Sequence, residues 1–216
     1  MARRSAVDAA RTRGIILAAA RRLFAENGFA ATTTAAVAAE SGVTVGALFH
    51  HFGDKAGLFR RVFEEVERDL EDHIRRTADP AGGLEAFLDG FRAYLLFARR
   101  PDFHRIVLLE GPAVMGEAEW HAIDIRRGAA TLMEGLEALV AEGVVEDRPL
   151  RPLGLLLLGA MTEAGHEVAR GTARRQVDEL VEAMRYLLAP GRAPAPARKR
   201  APRPGAALTR RRVADT

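Results

Sequence analysis

The 216-residue sequence contains no cysteine, which excludes disulfides, zinc–thiolate sites and a cysteine nucleophile. It has one tryptophan, and only two of its 32 basic residues are lysines, Lys55 and Lys199. Its longest apolar stretch, residues 153–161, is too short to cross a bilayer. No apolar run follows Met1-Ala2-Arg3-Arg4, so a signal peptide is not expected. We therefore expect a cytoplasmic protein without a membrane partner.

Charge is distributed unevenly along the chain, although the net charge is only +3. Residues 1–60 carry a net charge of +4, residues 61–189 carry −8, and residues 190–216 carry +7. Basic ends around an acidic middle indicate contact with a polyanion at one or both ends. Residues 190–216 are rich in Pro, Ala and Arg, so we expect a disordered tail. Extra phosphate contacts and a purely solubilising role both stay open for this tail.

The sequence lacks the motifs that are typical of enzymes. There is no glycine-rich loop after a strand, because no strand is predicted. Glu163 and His166 have the Glu-x-x-His spacing of di-iron bundles. Such sites need a second pair of this kind, which the sequence lacks, so we expect no metal and no other cofactor. An all-α enzyme remains the weakest of the alternatives.

Apolar residues recur with a period near 3.6, which predicts an all-α chain of nine helices. The first eight helices are expected at about residues 9–27, 34–40, 44–50, 55–77, 84–99, 102–110, 117–142 and 150–170. The sixth is expected to stop at Gly111-Pro112, and the ninth to begin after a cap at Thr172.

The most informative segment, residues 42–58, predicts the second helix of a helix-turn-helix and the start of a longer helix. Gly42 suits a tight turn, since a residue without Cβ tolerates positive φ, and Thr44 can cap the next helix. Leu48 and Phe52 lie four apart and can anchor that helix to a core. The opposite face, small and polar, fits a DNA major groove.

Residues 10–60 resemble the N-terminus of TetR/AcrR-type transcriptional repressors. The matching residues are Ile16-Leu17, Ala19-Ala20, Leu23-Phe24, Gly28-Phe29, Thr33-Thr34, Val37-Ala38, Gly42-Val43-Thr44, Gly46, Leu48-Phe49, His51-Phe52, Lys55 and Leu58. Together with the exposed face of the short helix, this resemblance predicts a set of DNA contacts. These are Thr33, Thr34, Thr44, Val45, Gly46, Ala47, Phe49, His50, His51 and Lys55.

Two of these positions carry particular expectations from the resemblance. Lys55 falls where the family has a phosphate-contacting lysine, and a compact ammonium suits such a point contact. Phe49 stands where family members commonly have tyrosine, whose hydroxyl can donate to a phosphate. Either that contact is absent in this chain, or His50 and His51 replace it.

The resemblance also implies an inducer cavity enclosed by the helices after the DNA-binding unit. Its expected lining is Phe91, Tyr94, Phe103, Val107, Trp120, His121, Met161 and Glu163. Ordinary core packing is the alternative for each of these apolar side chains. The acidic middle of the chain favours an apolar effector that is neutral or cationic, with Glu163 or Glu110 as its polar partner. Arg105 and Arg126 are the candidates that could offset this charge for an anion.

The helix at 150–170 is apolar on nearly every side, which predicts burial against a second subunit. The resemblance implies a four-helix bundle across a two-fold axis. The expected contacts are Leu153, Leu156, Leu157, Val177, Leu180 and Met184. Two ordinary core helices in a monomer are the alternative.

These expectations combine into three regions and one function. Residues 1–54 would bind DNA, residues 55–189 would bind the ligand and dimerise, and residues 190–216 would form the tail. The predicted protein is a homodimeric repressor that binds a pseudo-palindromic double-stranded operator and is released by a small molecule. A helical ligand-binding or scaffolding protein that no longer reads DNA is the alternative.

Overall fold

The computed structural model describes residues 2–77, 82–171 and 174–189, without the side chains of residues 2–6, 117, 121–129 and 174. All regular structure in these ranges is helical, which confirms the predicted fold class. The ten segments are α1 (Ala2–Ala31), α2 (Thr34–Ser41), α3 (Val45–Phe52), α4 (Lys55–Thr77), α5 (Gly83–Ala98), α6 (Phe103–Glu110), α7 (Gly111–Met115), α8 (Glu117–Ala141), α9 (Leu150–Arg170) and α10 (Arg174–Leu188). Among them, none combines the length and apolar character needed to cross a bilayer.

The first three helices pack around a small core that α4 extends. Phe24 of α1 and Leu48 of α3 are fully buried, and the Phe24 ring meets the Phe59 ring of α4 edge-on at 5.2 Å. Helix α4 also packs against α5, α6 and α8, while α9 and α10 both lie against α5. Helix α4 thus runs from the helix-turn-helix into the rest of the bundle, and α6 also packs against α1.

Arg21 ties α1 to two other helices through charge-assisted hydrogen bonds. Its guanidinium donates to Asp69 on α4 at 2.6 Å and to Asp102, just before α6, at 2.7 Å. Burial would raise the pKa of Asp102, but the hydrogen bonds from Arg100 and Arg21 outweigh it and lower that pKa. The carboxylate therefore stays ionised and keeps the three helices together.

The helix boundaries differ from the prediction at three places. Helix α1 begins at Ala2 rather than residue 9, and Gly28 interrupts it with φ of 81°. Helix α6 is a π-helix, and the chain continues into α7 instead of stopping at Gly111-Pro112. Pro112 lies in the first turn of α7, where its missing N–H costs no hydrogen bond. The predicted cap at Thr172 and the predicted tail lie outside the described residues.

Candidate DNA-binding surface, ligand cavity and subunit face

Two threonines of the helix-turn-helix cap the helices that follow them. Thr33 Oγ1 accepts from the Ala36 N–H at 3.1 Å, and Thr44 Oγ1 accepts from the Ala47 N–H at 3.2 Å. Between the two helices, Gly42 takes the left-handed conformation at φ of 67°. The turn at Gly42 and the cap at Thr44 follow the sequence prediction, and each threonine hydroxyl retains a proton that it can donate outward.

Helix α3 has one face in the core and one face in solvent. Leu48 is fully buried and Phe52 is 9% exposed, whereas Val45 and Phe49 are 37% and 42% exposed. Gly46 lies on the solvent side, where an added Cβ would meet only Thr44 Oγ1, at 3.9 Å. The remaining predicted contacts on this helix are Ala47 and His51, both half-buried, and His50, which is exposed.

The Lys55 ammonium, at the start of α4, is held against the C-terminal end of α1. Its Nζ donates to the carbonyl oxygens of Phe29 at 2.9 Å and Thr32 at 3.1 Å. It also lies 4.2 Å from the centroid of the Phe29 ring, within cation–π range. Two of its three N–H donors therefore bind the end of α1, a structural role that the sequence did not suggest. The predicted phosphate contact remains a prediction for the third donor.

The peptide of Phe29 is bound from two directions. Its N–H donates to Glu110 Oε2 on α6 at 2.7 Å, while its carbonyl accepts from Lys55 on α4. The Glu110 carboxylate comes this close because residue 28 is glycine. A Cβ there would lie 2.4 Å from Glu110 Oε1. Glu110 therefore faces α1, and its prediction as a polar partner of the ligand is wrong.

A cavity of about 230 Å³ lies between α4, α5, α6, α8 and α9. It exceeds the roughly 150 Å³ of an apolar cavity that accepts benzene. Six of the eight residues predicted to bind ligand line it: Phe91, Tyr94, Phe103, Val107, Trp120 and Met161. The Trp120 indole N–H donates to the Val107 carbonyl at 3.2 Å, so the ring is oriented by α6.

The other predicted ligand groups lie elsewhere. Glu163 is exposed on α9, where Arg170 donates to it at 3.4 Å, so its predicted place in the cavity is wrong. Arg105 donates to the Glu26 carbonyl at 3.4 Å, outside the cavity lining. The side chains of His121 and Arg126 lie outside the described residues.

Two carboxylates in the cavity wall were missed by sequence reasoning. Glu67 is only 3% exposed, and both it and Glu71 line the cavity from α4. Glu71 is paired with Arg75 at 2.8 Å, and Glu67 also has a polar or electrostatic interaction within the chain. Among the described lining residues these two are the charged ones. Their spacing of four residues next to Leu70 and Ile74, which share the cavity wall, was the available signal.

An apolar face on α9 and α10 is left in solvent. Leu155 and Leu156 on α9 are 64% and 72% exposed, and Tyr186 and Leu187 on α10 are 71% and 65% exposed. Gly159 follows Leu155 by one helical turn, and an added Cβ there would meet nothing within 4 Å. Exposed apolar side chains beside an uncovered glycine allow another helix to approach closely.

The predicted subunit contacts need correction at three positions. Leu157, Val177 and Met184 are 4%, 2% and 4% exposed within their own chain, so no surface remains for a partner. Leu153 and Leu180 are partly buried, and Leu156 is exposed. The sequence had suggested a helix that is apolar all round, but its buried side packs on the same chain.

An ion pair holds α10, which carries part of this apolar face, against α5. Arg185 on α10 donates to Glu85 on α5, with the Nη2–Oε2 distance at 2.8 Å. These hydrogen bonds lower the pKa of the Glu85 carboxyl, which therefore stays ionised and keeps α10 against α5.

Two family models match the chain. The model described as "Bacterial regulatory proteins, tetR family" matches residues 16–62, which include the helix-turn-helix. The model described as "Tetracyclin repressor-like, C-terminal domain" matches residues 84–191, which include most of the cavity wall and the exposed apolar face.

Curated transcriptional regulators are also similar to this chain in sequence. The chain is 34% identical over 114 residues to the HTH-type transcriptional regulator TtgR of Pseudomonas putida, covering 50% of this chain and 54% of that protein. It is 37% identical over 93 residues to the HTH-type transcriptional regulator AcrR of Shigella flexneri, covering 41% of this chain and 43% of the other. The chain thus spans about half the length of these curated relatives.

A solved structure is similar over a longer range. The TetR-family transcriptional regulator from Pectobacterium atrosepticum superposes with a TM-score of 0.69 and is 32% identical. The match covers 84% of this chain and 94% of the other.

Proposed function

Because the chain belongs to the TetR/AcrR family of transcriptional regulators, we propose that it is a homodimeric repressor released from its operator by a small molecule. The proposal rests above all on one arrangement, in which α4 joins a helix-turn-helix with an uncovered face to an apolar cavity. Residues 1–54 form the DNA-binding unit, and residues 55–189 bind the effector and the second subunit. The protein acts on DNA in the cytoplasm and is not an enzyme.

Each subunit inserts α3 into one major groove. Leu48 and Phe52 hold the helix on the core, which leaves the side with Gly46 and His50 for base edges. The caps at Thr33 and Thr44 fix the first turns of α2 and α3, where backbone N–H groups can meet phosphates. Two subunits related by a two-fold axis then require a pseudo-palindrome with half-sites about one helical turn, or a multiple of it, apart.

A Lys55→Ala variant is expected to change both stability and DNA affinity. Losing the hydrogen bonds to the Phe29 and Thr32 carbonyls should lower the free energy of unfolding by about 1–2 kcal/mol. Because the third donor is proposed to contact a phosphate, the logarithmic salt dependence of binding should also fall by about 1 per subunit. Salt titrations of DNA binding, together with thermal melting, measure both effects.

Arg148→Ala is the matched control, since it removes one positive charge from an exposed loop residue. It should leave the salt dependence unchanged. If Lys55→Ala also leaves it unchanged, Lys55 supports α1 but does not touch phosphate.

The effector is an apolar molecule, neutral or cationic, that enters the cavity between α4 and α9. Five aromatic rings line this space (Phe87, Phe91, Tyr94, Phe103 and Trp120). Such walls suit an apolar or cationic group. Glu71 is paired with Arg75 at 2.8 Å, so Glu67 is the carboxylate that makes the described wall unfavourable to an anion.

The cavity can signal to α3 by two routes that meet at Phe29. Helix α4 carries Glu67 and Leu70 in the cavity wall and Lys55 at its other end. Helix α6 carries Val107 in the wall and Glu110 at its end. A ligand that prefers one arrangement of these helices therefore shifts the position of the DNA-binding unit.

Titration of the full chain with three small aromatic probes tests the effector proposal. We expect phenyltrimethylammonium and neutral tert-butylbenzene to perturb Trp120 emission more strongly than benzoate, because the described wall carries carboxylates. In Glu67→Gln the advantage of the cation over the neutral probe should shrink. Because Trp120 is the only tryptophan, its emission reports on this cavity alone. Preferential binding of benzoate would contradict the proposed effector class.

Glu110→Gln separates binding from signalling. The amide keeps the shape of the side chain but gives the Phe29 N–H a weaker acceptor than the carboxylate. We expect the Trp120 response to persist while the decrease in DNA affinity caused by the probe becomes several-fold smaller, measured by fluorescence anisotropy of labelled DNA. An undiminished decrease would remove α6 from the signalling route.

The alternative is a ligand-binding or scaffolding protein that no longer reads DNA. It predicts the same Trp120 response without selective DNA binding. The two proposals therefore differ in one observable, the preference of the full chain for one duplex sequence over another.

A further inference from the structure

The solvent face of α3 carries two large apolar side chains. Val45 and Phe49 are 37% and 42% exposed, and they lie four residues apart, on the same side of the helix. The other large apolar residues of α3, Leu48 and Phe52, are buried. Core packing therefore does not explain why Val45 and Phe49 are large apolar residues.

The same helix has few groups for hydrogen-bonded recognition of bases. The segment Val45–Phe52 contains no Arg, Lys, Asn, Gln, Asp or Glu. The paired hydrogen bonds by which Arg or Lys selects guanine and Asn or Gln selects adenine are thus unavailable from α3. Only the two imidazoles, with the Thr44 hydroxyl just before the helix, can exchange hydrogen bonds with base edges.

The major groove offers one apolar group, the 5-methyl of thymine. Building on the DNA-binding function proposed above, we propose that Val45 and Phe49 recognise thymine methyl groups, so that each half-site requires thymines opposite this face of α3. Phe49 suits such a contact, because it has no hydroxyl to donate to a phosphate. Burial against a methyl removes apolar surface of both partners from water.

Gly46 supports this contact by allowing the helix to come close. It lies between Val45 and Phe49 in sequence, and its position in the free chain has room for a Cβ. Glycine weakens a helix relative to alanine, and nothing inside the chain requires it there. A missing side chain at this point lets the backbone of α3 lie near the base edges, where side chains of the size of valine and phenylalanine can reach the methyl groups.

The test uses duplexes recovered by the full chain from a random-sequence pool. Each thymine of a recovered half-site is replaced singly by uracil, which removes the methyl and keeps base pairing. We expect at least two positions per half-site at which uracil lowers affinity by about fourfold, the equivalent of the roughly 0.8 kcal/mol for one buried CH2 group. In Phe49→Ala, one of these positions should lose its sensitivity to uracil.

Leu96→Ala is the control variant, because Leu96 is an equally large apolar residue, 46% exposed, on α5. It should retain the full uracil effect. The proposal is overturned if duplexes with uracil bind as tightly as those with thymine, or if Phe49→Ala keeps every uracil effect. In either case sequence-specific binding itself still stands. If the pool yields no enriched sequence, the proposed DNA-binding function fails, and this inference fails with it.

Discussion

Leu156→Arg is expected to yield a folded monomer with greatly weakened DNA binding. Leu156 is 72% exposed within its own subunit, so an arginine there disturbs no intramolecular packing. In the proposed dimer the same position is buried, and an unpaired charge costs about 3–5 kcal/mol. A monomer contacts a single half-site, and loss of the linked second contact should reduce affinity by on the order of 10²–10⁴.

Sedimentation and thermal melting distinguish this outcome from simple misfolding. The variant should sediment as a monomer at micromolar concentration and retain cooperative melting. Leu96→Arg, at a 46% exposed leucine on α5, should stay dimeric. If the unmodified chain is itself a stable monomer at this concentration, the exposed apolar face of α9 and α10 is not a subunit interface.

Gly46→Ala should make the free protein more stable and its DNA complex weaker. The added methyl has open space, with Thr44 Oγ1 at 3.9 Å, and alanine favours a helix over glycine by about 0.5–1 kcal/mol. In the groove the same methyl would occupy the space between the α3 backbone and the bases. Overpacking of this kind costs about 1–3 kcal/mol in each subunit. Thermal melting and anisotropy titrations should therefore change in opposite directions.

Two outcomes would contradict the proposed role of Gly46 on α3. If Gly46→Ala raises the melting temperature and leaves DNA affinity unchanged, Gly46 does not face the groove. If it lowers the melting temperature, the glycine is required by the fold.

The sequence predicted best what depends on neighbours along the chain. The cap at Thr44, the turn at Gly42 and the anchors Leu48 and Phe52 all follow from spacing within a few residues. Most of the aromatic cavity wall was also expected, because the resemblance to the family implied a cavity among these helices, whose large apolar side chains line it.

Long-range polar contacts were the part that spacing could not supply. Lys55 binds carbonyls 23 and 26 residues away, and Glu110 binds an N–H 81 residues away. Glu163 has the chemistry expected of a ligand contact, but its position on α9 turns it towards solvent and Arg170. The spacing of Glu67 beside Leu70 and Ile74 could have indicated the helix face that it shares with them, but the burial of its carboxylate depends on how α4 packs against other helices.

The subunit face illustrates the same limit. Leu156 and Leu157 are adjacent and chemically identical, but one is 72% exposed and the other 4%. A continuous apolar run indicates that both sides of α9 are covered. Only the packing of α9 on its own chain distinguishes the side left for a partner.

Selection of binding sites by this chain from a random duplex pool is the most direct test of sequence-specific DNA binding by a homodimer. We expect enrichment of one two-fold symmetric motif whose half-sites are centred about one helical turn, or a multiple of it, apart. An effector that perturbs Trp120 should then release the enriched duplex. Enrichment of no sequence, with only weak binding that falls with salt equally for all duplexes, would contradict sequence-specific DNA binding.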